Sequence, residues 1–126
     1  MDKNGYNDSL YDTKSHECYY CHSNTDTVRH EVFYGAQRQS AKALGLWLNL
    51  CPVCHRLVHE IGEDGKPSKD WRKLGITRLI DALARETDEM HATMLVYRYV
   101  NGSIKNWELK EMEELYGKQH GQPRLD

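Results

Sequence analysis

Apolar and polar residues change their spacing several times along the chain, and the changes mark out the elements. Residues 27–34 are rich in β-branched and aromatic side chains and predict a strand that ends at Gly35. Residues 46–50, Leu-Trp-Leu-Asn-Leu, predict its partner. Between them, residues 36–44 predict either a short helix or an ordered Ω-like loop, stopped by Gly45. Pro52 suits the first turn of a helix that continues over residues 53–61 to Gly62. A turn over residues 62–67 precedes a second helix, with Ser68 or Asp70 as its cap. Its apolar face is Trp71, Leu74, Leu79, Ile80, Leu83 and Ala84, and Gly75 is a point where it can break early. Two more helices are predicted over residues 88–99 and 106–116, the last one acidic. Residues 1–14 read as a flexible arm carrying Tyr6 and Tyr11, and residues 117–126 as a frayed tail. The fold class that follows is α+β: a ββα module over residues 15–61 with a C-terminal helical extension over residues 62–116.

Composition narrows this picture. One domain suits 126 residues, but 39% hydrophobic content and a mean hydropathy of −0.81 predict a modest core that a staple would help. The polar N-terminus does not resemble a signal peptide, and no apolar run approaches the roughly 20 residues of a membrane span, so a soluble, cytoplasmic protein is expected. A net charge of −2 argues against gripping nucleic acid by bulk electrostatics. Residues 14–60 nevertheless carry five Lys or Arg against four acids, a balance of +1. Nucleic-acid contact would then rest on a local patch or a metal.

All four cysteines fall in two C-x-x-C pairs, Cys18/Cys21 and Cys51/Cys54, with 29 residues between the pairs. Two tight turns of this kind can converge their thiolates on one tetrahedral zinc, and a closed four-thiolate site is structural. A structural Zn²⁺ is therefore expected to join the start of the first strand to the helix after the second. Neither pair has the βαβ setting of a redox motif.

Five of the seven histidines share this segment. His55 and His59 are four residues apart on the predicted helix, so both imidazoles lie on one face, one turn apart. His30 lies on the first strand, which the zinc staple would bring to that helix. Strand, strand and helix would frame one cleft able to hold a second, divalent ion for phosphodiester chemistry, with a neutral imidazole to activate water. His16, His22, His91 and His120 show no partner spacing.

With these residues in place, the chain resembles the HNH endonucleases of the ββα-metal fold, particularly the small zinc-stapled forms of phages and other mobile elements. The resemblance covers residues 18–61. It rests on C-Y-Y-C, on R-H-E-V-F-Y-G, and on L-G-L-W-L-N-L-C-P-V-C-H-R-L-V-H, with the loop at Arg38 to Lys42 also similar to phage members. It implies metal-dependent hydrolysis of DNA, with His30 as general base and His55 and His59 as ligands of a catalytic Mg²⁺, Mn²⁺ or Ni²⁺. Two departures accompany it. The neighbours of His30 are Arg29 and Glu31, and an offset of one residue in the strand would make His30 a ligand and Glu31 the base. Leu46 occupies the place of the family's asparagine, with Asn49 the nearest substitute.

The leading expectation is an endonuclease that nicks or cuts double-stranded DNA. The alternative is a catalytically inactive HNH-like zinc module that binds protein or nucleic acid for a phage or mobile element. The C-terminal helices are a candidate surface for a protein partner or a homodimer. Arg38, Lys42 and the lysines between residues 66 and 73 are candidate phosphate contacts.

Overall fold

In the computed structural model, which describes residues 2–24 and 26–118, the predicted α+β order is present. Strand β1 (Val28–Glu31) leads through a 3-10 turn (Gly35–Gln37) into α1 (Arg38–Ala43) and back along β2 (Trp47–Leu50). Helices α2 (Pro52–Ile61), α3 (Lys66–Ala84), α4 (Glu89–Val100) and α5 (Asn106–Gly117) follow. The strands pair antiparallel, with Val28 opposite Leu50, Arg29 opposite Asn49, His30 opposite Leu48 and Glu31 opposite Trp47. Opposed residues share a face of the sheet and neighbours alternate. One face therefore carries His30, Leu48 and Leu50 toward α2 and α3. The other carries Arg29, Glu31, Trp47 and Asn49.

β1 is shorter than the sequence pattern predicts. Val32 still donates its N–H to the Leu46 carbonyl at 2.9 Å, but the chain then leaves the ladder. Phe33 turns into the core, its ring 5.6 Å from that of Tyr99, and Tyr34 turns toward α3. The connection between the strands takes the helical one of its two predicted forms, a 3-10 turn running into a six-residue helix. Helix α3 starts before either predicted cap, because Gly65 occupies that position and Pro67 fits the first turn. Gly75 does not break it. A Cβ there would overlap Tyr11 Oη and Leu46 Cδ2, so the missing side chain is what lets α3 lie against them. Asp88 caps α4 by accepting the His91 N–H at 2.8 Å.

The N-terminal segment, expected to be a loose arm, is packed along the second face of the sheet. The Trp47 indole N–H donates to the Asn7 carbonyl (2.9 Å), the Leu10 N–H donates to the Gly45 carbonyl (2.8 Å), and the Tyr11 hydroxyl donates to the Trp71 carbonyl. Tyr11 is only 4% exposed. The cause is that Trp47 and its neighbours would otherwise leave a large apolar face in water, which Tyr6 covers edge-on at 5.4 Å. Part of the predicted tail, residues 119–126, lies outside the described residues.

Leu44, Leu46, Leu48 and Leu50 belong to the same buried cluster as Leu79, Leu83, Leu95, Tyr99, Met112 and Tyr116, so module and extension share one core. Among the described residues no helix is long and apolar enough to cross a membrane.

Candidate metal centres and cleft

Cys18 and Cys21 sit in the turn before β1, and Cys51 and Cys54 at the junction of β2 with α2. Local hydrogen bonding makes each pair a knuckle. The Cys21 N–H points at Cys18 Sγ (3.5 Å) and the Cys54 N–H at Cys51 Sγ (3.4 Å), so Cys51 also caps α2. All four sulfurs lie within 4.8 Å of one another, and Cys21 Sγ is 3.8 Å from Cys51 Sγ. A tetrahedron with Zn–S bonds of about 2.3 Å has edges of about 3.8 Å, so the set fits zinc. Hydrogen bonding with Ser23 draws the Cys21 thiol down to about 6, while burial pushes Cys54 up. A metal reverses that penalty by binding the thiolate form.

The second group is His30, His55 and His59, whose ligand nitrogens also lie within 4.8 Å of one another. Helix α2 delivers His55 and His59 one turn apart, with Nε2 atoms 3.0 Å apart. The His30 ring is 5.4 Å from each of theirs, centre to centre. These three side chains line a cleft of about 350 Å³ together with Arg29, Glu31, Tyr34, Gly35 and Arg38. Burial is graded across the trio: His30 is 3% exposed, His55 half-buried and His59 exposed. Burial first, then the nearby His55, His59 and Arg38, pulls the His30 pKa down to about 3, which keeps its imidazole neutral. Burial and His59 lower that of His55 as well, against the pull of Glu31. Convergent imidazoles are a donor set that divalent transition ions take.

Glu31 borders the same cleft but is already engaged. Its Oε2 accepts from the Tyr6 hydroxyl (2.9 Å) and its Oε1 from Arg38 Nε (2.7 Å). The strand register thus puts His30, rather than Glu31, against the helix histidines. Asn49, expected to take part, is not brought to them. It lies opposite Arg29 on the other face of the sheet, one residue out of step with Leu48, the partner of His30. Sequence reading missed Tyr34 at this cleft, and Ser68 and Trp71 packed against Tyr34 and His30. Tyr34 lies four residues after His30 in what the pattern marked as strand, and α3 brings the other two from a distance that no spacing signals.

The remaining candidates lie apart. His22 faces Glu17 at 3.4 Å and His91 faces Glu111 at 3.0 Å, and His120 is outside the described residues. Lys66 pairs with Asp70 (2.8 Å), and Lys42 rests over the Tyr6 ring. A larger cavity of about 750 Å³ lies on the second face of the sheet, under the N-terminal segment, away from both clusters.

No family model, curated protein or solved structure matches the chain.

Proposed function

We propose that the chain is a metal-dependent endonuclease of HNH type that hydrolyses phosphodiester bonds in double-stranded DNA. The observation that carries this reading is the convergence of His30, His55 and His59 on one open cleft beside a separate four-cysteine cluster. His55 and His59 would hold the catalytic ion. When bound, Mg²⁺, Mn²⁺ or Ni²⁺ polarises the phosphodiester and stabilises the leaving oxygen. His30, neutral and facing the cleft, takes the proton of the attacking water as the bond from phosphorus to the leaving oxygen breaks. Arg38, held at Nε by Glu31 and with its side chain 70% exposed, offers the outer edge of its guanidinium to a phosphate.

The net charge of −2 and the displacement of Asn49 favour the second reading, an inactive HNH-like module that binds a protein or nucleic acid. Plasmid cleavage separates the two. The proposal requires conversion of supercoiled plasmid to nicked or linear forms with Mg²⁺, Mn²⁺ or Ni²⁺, arrest by EDTA, and a His55→Ala/His59→Ala variant that is folded but inert. Equal inertness of wild type and variant across these ions would leave the binding module.

A further inference from the structure

Because His30 is 3% exposed, its ring orientation is set by protein rather than by water. Asn49, on the far face, does not do this. The hydrogen bond that reaches the ring comes from Tyr34, whose Oη lies 3.2 Å from His30 Nε2 and 3.2 Å from Ser68 Oγ. Ser68 is 2% exposed in the first turn of α3. Among the described residues no other hydrogen bond meets the imidazole. Trp71, one turn further along α3, walls the ring at 6.1 Å, while His55 and His59 stand on the cleft side.

Two directions are open to this chain of hydroxyls. If Ser68 donates to Tyr34 and Tyr34 to Nε2, the proton sits on Nδ1 and the neutral ring keeps no free lone pair. In the opposite direction Nε2–H is the donor and the Nδ1 lone pair stays free, the form that a general base requires.

We propose that Tyr34 and Ser68 are the positioning residues of His30: Nε2–H donates to Tyr34 Oη, Tyr34 donates to Ser68 Oγ, and the Nδ1 lone pair is left free to accept a proton. The direction of the chain and its catalytic use rest on the nuclease reading, while the positioning contact does not. The arrangement also gives the helical extension a task, since α3 supplies both Ser68 and Trp71 to the back of a histidine carried by β1. A partner that fixes tautomer and ring direction is a recurring requirement of working histidines.

The test uses the full chain, ¹⁵N-labelled, with zinc present and no other divalent ion. Long-range proton–nitrogen spectra report which ring nitrogen of His30 carries the proton. Wild type is expected to show a single Nε2–H form. Tyr34→Phe keeps the ring beside His30 and His59 but removes the relay, so it should give a mixture of tautomers. In plasmid cleavage the same variant should lose about 10- to 100-fold in kcat with KM unchanged. Ser68→Ala should shift both readouts the same way by less, and it carries the test if Tyr34→Phe does not fold. An Nδ1–H form in wild type, or ring-nitrogen shifts indifferent to both substitutions, overturns the proposal. If wild type cleaves no DNA while the shifts respond to Tyr34→Phe, the nuclease reading falls and the positioning role stands.

Discussion

His30 and Glu31 are neighbours on one strand, yet their surroundings equip them for different chemistry. Glu31 is 4% exposed, and both of its oxygens already accept hydrogen bonds, from Tyr6 and from Arg38. A carboxylate so engaged anchors a guanidinium better than it abstracts a proton. His30→Ala is therefore expected to lower DNA cleavage by about 100-fold or more. Glu31→Gln should act mainly on stability, at a cost on the order of 1 kcal/mol, since the Arg38 side chain it holds is largely solvated. Single-turnover cleavage and thermal melts of the two variants check this. Residual activity in His30→Ala with loss in Glu31→Gln would make Glu31 the base. At this scale the sequence revealed the residues whose chemistry is tied to spacing: the C-x-x-C pairs, and the two histidines one helical turn apart. Asn49 misled because its use depends on strand register, which a shift of one residue inverts. Tyr34 and Ser68 carried no spacing signal at all, since they meet only through the packing of α3.

Elements were legible wherever one period ran unbroken. The four long helices and both strands lie where the hydrophobic pattern put them, within a few residues at their ends. The misreadings share one cause, which is contact with something distant in sequence. β1 stops early because Phe33 is drawn into the core beside Tyr99, and the N-terminal segment is ordered because Trp47 needs a cover. Gly75 is the sharpest case. In an exposed helix, Gly→Ala stabilises by about 1 kcal/mol. Here the added methyl would overlap Tyr11 Oη and Leu46 Cδ2, both within the buried cluster, and overpacking costs about 1–3 kcal/mol. Gly75→Ala is thus expected to lower the melting temperature by several degrees. In a Tyr11→Phe background, which removes the obstructing hydroxyl, the penalty should shrink. A double-mutant cycle measured by thermal denaturation reads this coupling directly, and a cycle with no coupling would sink the packing account.

At the scale of the whole molecule, the question is how far the zinc cluster's influence extends. A two-stranded sheet of four-residue strands is marginal by itself, and the four-cysteine cluster ties its two outer ends together. Metal binding at such a site is folding free energy, because no preformed site exists in the unfolded chain. The influence does not stop at the module, since Leu46, Leu48 and Leu50 of the sheet region share one buried cluster with Leu79, Leu83, Leu95 and Met112 of the extension. Loss of zinc should then lower the melting point of the entire chain as one transition rather than release an independent knuckle. Elemental analysis of protein purified without added zinc is expected to find one ion per chain, and a strong chelator should lower the melting temperature by about 10 °C or more. The His55→Ala/His59→Ala variant should keep its zinc and its melting behaviour, because it touches none of the four thiolates. Cys18→Ser/Cys21→Ser provides the decisive comparison. If that variant melts as the wild type does, with unchanged circular dichroism, the zinc staple has no part in the fold and the core alone sustains it.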